Sequence, residues 1–453
     1  MGVTGWTFRI AASAALIVGS AASTSAGPWL LPSDVGRTID GVWRSRGYGH
    51  ILEIRDGKRT LYHVAGTLCY PDTSNTQADD AYRLVSVASP SRIAFAAAPT
   101  QTRYAFDRIT AVPPGCTASH RWTAHEMAEL IAATFADQYP GFGKRGRTIA
   151  RLTAALAVPS DAVPDLSFFR HTTRALDGLD DAHVGIAATI DGTAYDEEGG
   201  EAATIRSVRA DAALGTDPAE RERNWSKAYR EGITGMLEGG GHLVANRHVL
   251  WGRIGRKGYI NVVAMGAFDK DAPPDDLAAL DAVLDQALAA FQGLPGVIVD
   301  VTNNRGGYDP ISLHIAGRFA DRRRLAFAKR AVGASGPYQT FHVEPSDRLR
   351  YLGKVALLTS DVTVSAGETF TLAMRALPNV THIGGTTRGA LSDQLVKPLP
   401  NGWTLTLPAE TYRDPKGRSQ EGAGIDPEQA MPPFAPSHRV MVQTVAARMT
   451  SPS

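Results

Sequence analysis

Gly296-Val297-Ile298-Val299-Asp300-Val301, running straight into Thr302-Asn303-Asn304-Arg305-Gly306-Gly307, is an apolar strand that ends in a glycine-rich turn. Leu277, Leu280, Leu284, Leu288 and Phe291 upstream share one face of a helix, and Gly/Pro punctuation separates that helix from the strand. Downstream the spacing predicts a helix near Pro310 to Phe319 and a second buried strand over Lys354 to Thr359. Strand, helix, strand in this order implies parallel pairing through right-handed crossovers, hence an α/β core. In such sheets binding sites gather beyond the carboxyl ends of the strands. Two turns fall there, Asn303 to Gly307 and Ser360 to Ser365.

Ser365 stands in Thr363-Val364-Ser365-Ala366-Gly367-Glu368-Thr369-Phe370, after a buried strand and at the start of a helix. A serine so placed can present its hydroxyl at the sheet edge, with the Ala366 amide aimed where a tetrahedral oxyanion would form. The alternative is a plain helix cap, because serine accepts hydrogen bonds from the first helical amides. Gly306 and Gly307, free of side chains, can offer a second oxyanion donor or be a simple turn.

Toward the N-terminus, short strands and turns fill Gly41 to Thr110, with Asp56-Gly57 marking a hairpin. Residues 27–118 read as a small antiparallel β domain in which Trp43, Tyr48 and Tyr62 are core or line a pocket. Pro113-Pro114-Gly115 closes it. A helical cap over 119–190 follows: Thr123 and Glu126 fit a capping box, and two further amphipathic stretches run over Thr148 to Ala157 and Leu166 to Leu179. Residues 187 to 225 are polar and Gly-rich and read as loop with some helix. Gly239-Gly240-Gly241 reads as a turn, and the α/β core is assigned to 191–453.

The sequence has 453 residues, and Lys plus Arg (47) nearly cancels Asp plus Glu (46), so overall electrostatics favour no nucleic-acid partner. Residues 1–26 have the form of an export signal: Arg9, an apolar run from Ile10 to Ala22, then Thr24-Ser25-Ala26 as a small-residue cleavage site. The alternative, a membrane anchor, is disfavoured because the run falls short of the roughly 20 residues a bilayer span needs. The expected location is periplasmic or secreted, with no stable membrane span after signal removal. In such a compartment Cys69 and Cys116 can persist as a disulfide, the alternative being two free thiols. No metal or cofactor is expected: two cysteines make no zinc ribbon, and His125-Glu126-Met127-Ala128-Glu129 lacks the second histidine of a zinc-protease helix.

Five segments, in order, resemble those of the C-terminal-processing and tricorn-like serine peptidase superfamily, to which tail-specific proteases and interphotoreceptor retinoid-binding protein are related. Asp181-Ala182-His183-Val184-Gly185-Ile186 is similar to its Asp-x-His-x-Gly segment, Val299 to Gly307 to Asp-x-Arg-x-Asn-x-Gly-Gly, and Thr363 to Phe370 to its Ser-Ala-Gly-Glu nucleophile segment. Ile383-Gly384-Gly385-Thr386-Thr387-Arg388-Gly389 and Glu421-Gly422-Ala423-Gly424-Ile425-Asp426-Pro427 resemble the two that follow. The likeness spans roughly residues 120 to 435. It implies a crotonase-like ββα alternation in the core and one of two catalytic designs. The Ser-Lys dyad would need a lysine where this chain has Ala390, so the resemblance points to the other design, with Ser365 as nucleophile, His183 as base and Glu421 as supporting carboxylate. Gly306, Gly307 and Ala366 are the expected oxyanion donors, and Glu368 and Asp300 are further candidates for support.

Two departures stand out: Ala182 occupies a position that is often serine, and Asn304-Arg305 replaces the Arg-x-Asn order. Glu421 is expected to orient His183 or to act through another hydroxyl. No carboxylate-binding PDZ module is legible between His183 and Gly258. The implied activity is peptide-bond cleavage through an acyl-enzyme. The alternatives are an esterase and a non-catalytic binding protein for an apolar ligand or peptide on the same scaffold.

Overall fold

The computed structural model describes residues 27–74, 81–118, 121–143 and 146–449. The export signal expected over 1–26 lies outside them. The N-terminal unit is one antiparallel sheet of β1 (Gly41–Ser45), β2 (His50–Arg55), β3 (Lys58–Ala65), β4 (Leu68–Pro71), β5 (Leu84–Ser89), β6 (Arg92–Ala96) and β7 (Tyr104–Ile109), in the order β4-β3-β2-β1-β7-β6-β5. Asp56 and Gly57 form the tight β2–β3 turn, both with positive φ, as a two-residue hairpin requires. Trp43 is fully buried in the core of this unit. Cys69 on β4 is bonded to Cys116, which sits on a one-turn helix after β7.

Three helices follow: α1 (Ala124–Gln138), α2 (Ile149–Leu156) and α3 (Asp165–Asp177). The Thr123/Glu126 capping box is present at the start of α1. The helices share a core with a second sheet, of β8 (Gly185–Ile190) and β9 (Thr193–Glu198). Residues 187–225, read from sequence as loop with some helix, are more ordered than that. They hold most of this hairpin, then α4 (Ala203–Ala210) and the first part of α5 (Pro218–Thr234). The reason is physical: β9 is exposed at nearly every position and α5 buries little besides Tyr229 and Ile233, so neither shows a strong apolar period.

The central sheet takes β10 (His242–Val244), β11 (Val249–Ile254), β12 (Lys257–Val262), β13 (Val297–Asp300), β16 (Val355–Thr359), β17 (Val380–Gly384) and β21 (Gln429–Ala430), side by side in that order. From β12 to β21 the pairing is parallel. The connecting helices are α6 (Ala278–Phe291), α7 (Asp309–Gly317) and α8 (Ala366–Arg375), and α9 (His438–Arg448) ends the described chain. Alternate residues serve opposite faces: Val297, Val299 and Leu357 pack in the cluster formed with α6, α7 and α8, while Ile298, Ala356 and Leu358 pack with Tyr229 of α5 and Met441, Val442 and Val445 of α9. Both faces are covered, which is why β13 and β16 read as unbroken apolar runs.

Two smaller sheets complete the described core. β14 (Arg324–Ala331), β15 (Gln339–Val343) and β20 (Glu410–Arg413) form one. In the other, β18 (Gln394–Pro398) and β19 (Thr404–Pro408) join β8 and β9, with β8 pairing β19. Through this pairing the segment that carries His183 is fixed to the part of the chain that follows Ser365.

Candidate active site

Two turns at the carboxyl ends of neighbouring strands β13 and β16 form the floor. Asn304, fully buried, braces them: its side-chain amide donates to Val262 O (2.9 Å), its Oδ1 accepts from Gly306 N (2.9 Å), and its carbonyl accepts from Val364 N (3.2 Å). Ser365 follows at the N-cap of α8 with φ 58° and ψ −124°. A non-glycine residue there is strained by about 1–3 kcal/mol and persists only where its surroundings over-determine it. They do: Ser365 N donates to Ala390 O (3.0 Å), and a Cβ on Gly306, itself at φ 85°, would lie 2.6 Å from Ser365 Cβ. The Ser365 side chain makes no capping bond, so the cap alternative does not hold. Ser365 is half-buried at the helix N-terminus.

The Ala366 amide begins the helix and, among the described residues, meets no protein acceptor. The same is true of Gly307 N, on an exposed residue held at φ 138° against Met265. The Gly306 amide differs from expectation, because it is engaged by Asn304 Oδ1. Gly307 and Ala366, rather than Gly306, therefore offer free amides beside the hydroxyl.

His183 and Glu421 come to the same place through residues 388–393. Ala390 O receives the Ser365 amide, Glu421 Oε2 accepts from Leu391 N (3.1 Å) and Ser392 N (3.0 Å), and the Ser392 backbone pulls the His183 pKa upward. Asp181 is a further common neighbour, its charge acting on both His183 and Glu421. His183 is 6 % exposed, and its own amide is capped by Asp181 Oδ1 (3.0 Å). Asp181 Oδ2 takes the Tyr139 hydroxyl (2.7 Å), and Arg388 binds Asp180 through its side chain (2.7 Å) and carbonyl (3.0 Å). The loop bearing the imidazole is thus clamped to the floor. Among the described residues no hydrogen bond joins Ser365 to His183 or His183 to Glu421, a spacing common before substrate arrives.

Burial lowers the His183 pKa below its ordinary value, against the opposing pull of Asp181 and Asp393, so the ring is neutral at neutral pH. Burial also raises Glu421 well above the carboxylate range, reinforced by Asp181 and Glu368. Glu421 Oε1 and His183 Nδ1 are both buried without a protein partner. Glu368 is an anchor: its carboxylate, pushed up to about 7 by burial, takes Thr387 Oγ1 (2.6 Å), Gly389 N (2.8 Å) and Ala390 N (2.8 Å). Asp300 serves elsewhere, bound to Tyr259, Thr302 and His438. Sequence reasoning missed Asn304 as a brace and Asp393 as a neighbour of His183. Asn304 falls on the asparagine of the Asp-x-Arg-x-Asn-x-Gly-Gly segment, which was the signal for it; nothing local marked Asp393.

A serine held in a strained turn beside free amides, with a buried neutral imidazole brought to the same six-residue segment, defines a serine-type peptidase. Residues 256–431 match the model described as peptidase family S41. A Parabacteroides merdae protein described as a peptidase has the same fold at 20% identity, with a TM-score of 0.58 over 73% of this chain and 98% of that one. Mature CPAF shares 12% identity with a TM-score of 0.50, over 72% of this chain and 97% of its own. At such identities the likeness is one of fold. No curated protein matches by sequence.

Proposed function

We propose that this chain is an exported, periplasmic or secreted serine peptidase that cleaves peptide or protein substrates through an acyl-enzyme on Ser365, with His183 as general base. The observation that carries the reading is the Ser365 elbow, a serine strained to positive φ whose hydroxyl caps nothing. Strain of this kind is worth keeping only where a side chain must be presented. The hydroxyl oxygen attacks the substrate carbonyl carbon while His183 takes its proton. The oxyanion sits between the amides of Gly307 and Ala366, and collapse expels the amine, which recovers the proton from His183. Water then repeats the sequence on the ester. Each lost oxyanion donor would cost about 10²–10³ in rate.

Glu421 supports His183 through the 391–392 backbone it holds. The β11, β12, α6 order favours reading the core as crotonase-like. Maturation near Gly27 would be seen as the N-terminal residue of protein recovered from outside the cytoplasm.

Fluorophosphonate labelling tests the chemistry. We expect labelling of the native chain, none of Ser365→Ala, and a rate reduced about 10²–10⁴-fold in His183→Ala. Equal labelling of native protein and Ser365→Ala would refute the reading. Tight binding of an apolar ligand by a chain that does not label would favour the binding-protein alternative.

A further inference from the structure

Where the N-terminal sheet meets the core, one ammonium sits among carboxylates. Lys329 on β14, 3 % exposed, places Nζ 2.5 Å from Asp393 Oδ2, 3.1 Å from Glu410 Oε2 and 2.9 Å from the Tyr412 hydroxyl. Tyr412 donates onward to Asp309 (3.0 Å), which also binds the Thr369 hydroxyl (2.7 Å), one turn into the helix that Ser365 begins. From the N-terminal sheet side come the hydroxyls of Tyr48, to Glu410 (2.6 Å), and Thr102, to Asp393 (3.3 Å).

Asp393 is half exposed, and a carboxylate there would ordinarily gain little from pairing. Its partner is buried, however, and letting go would leave the interior ammonium with the Glu410 carboxylate as its remaining ion pair, which is costly. The carboxylate is therefore fixed in place. It follows directly on Ser392, whose N–H is bound by Glu421, and it leads into β18, which β19 joins to β8, the strand that His183 leads into. Burial alone would raise the Asp393 pKa, but Lys329 and His183 outweigh it and keep the group ionised.

The other charged groups facing the ring are Asp181 and Arg388. Asp181 is committed to the His183 amide, Tyr139 and Arg147. Arg388 is positive and disfavours the imidazolium. Burial raises the Glu421 pKa well above the carboxylate range, which disfavours its charge.

We propose that Asp393 is a positioning residue for His183, stabilising the imidazolium formed on proton transfer, and that it is held from two sides, by Lys329 of the core and Thr102 of the N-terminal β unit. The N-terminal unit is then part of the catalytic apparatus. The inference rests on the reading of Ser365 and His183 as nucleophile and base.

The test is the pH dependence of fluorophosphonate inactivation of the full chain. Removing a negative charge lowers the imidazole pKa, so Asp393→Asn should move the acid limb to lower pH by about 0.5–1 unit. It should also slow the plateau rate about tenfold. Asp393→Glu should restore most of both. Thr102→Val should move the limb the same way by less, with Thr102→Ser restoring it. A labelled native protein whose Asp393→Asn and Thr102→Val profiles superpose on it, or lose rate with the limb unmoved, overturns the inference alone. If Asp393→Asn does not fold, the Thr102→Val limb decides, and an unmoved limb overturns it. A native protein that does not label sinks the functional reading and this inference with it.

Discussion

Around Ser365 nearly every constraint is backbone: a left-handed turn, the Ala390 carbonyl, the close approach of Gly306. Around His183 nearly every constraint is a side chain brought from afar: Asp181, Tyr139 and Arg147 from the cap, Arg388 and Asp393 from the core. Ser365 is thus built into one floor of backbone contacts, and His183 is held by parts from distant stretches of the chain. Damage to the first should be nearly all-or-none; damage to the second should be graded.

The largest effect is expected from Gly306→Ala. Its Cβ would fall 2.6 Å from Ser365 Cβ at a φ of 85°, and displacing a nucleophile by a fraction of an ångström to an ångström costs about 10² or more in kcat/KM. Labelling and peptide hydrolysis should fall together, and a variant retaining half the native rate would break the comparison. Next comes Arg388→Met, which releases Asp180 and loosens the His183 loop; about a tenfold loss in kcat with a smaller change in KM is expected. Arg388→Lys should recover only part of it, because an ammonium does not reproduce the planar fork of a guanidinium.

The pH profile sharpens the picture further. Burial lowers the His183 pKa from 6.5, so with His183 as the proposed base the acid limb of kcat/KM should fall under pH 6.5. A limb at or above 6.5 contradicts the buried ring. Stability has the same sign: the unfolded ring protonates first as pH falls through 6.5, so stability is lost from there down to the folded pKa.

The smallest effect on turnover belongs to the disulfide. Replacing Cys69 and Cys116 by Ser should cost about 2–4 kcal/mol of unfolding free energy in denaturant titration, with kcat/KM at low temperature changed less than twofold.

The same contrast explains what the chain made legible. β13, β16 and α6 announce themselves because burial on both faces, or on one helical stripe, leaves unbroken or periodic apolar runs. Ser365 could be picked out because its turn is local. The pairing of β8 with β19, across more than two hundred residues, leaves no local trace, and with it the route that carries His183 to residues 388–393 stays hidden. The exposed β9 and the polar α5 were hidden for a related reason: each contributes few buried side chains, and a pattern needs several to register. The resemblance located His183 and Glu421 where periodicity could not. It missed Asp393, whose significance comes from Lys329 sixty-four positions earlier.

The elbow also limits which atoms can do this chemistry. At φ 58° with Gly306 against Cβ, position 365 accepts a side chain with a single γ atom and no branch. Cysteine satisfies that condition, so sulfur could replace oxygen within the same backbone. Threonine does not: its branching at Cβ resists the left-handed turn. A lineage built on this floor can exchange one chalcogen for the next, but a threonine enzyme would first have to rebuild the turn beneath it.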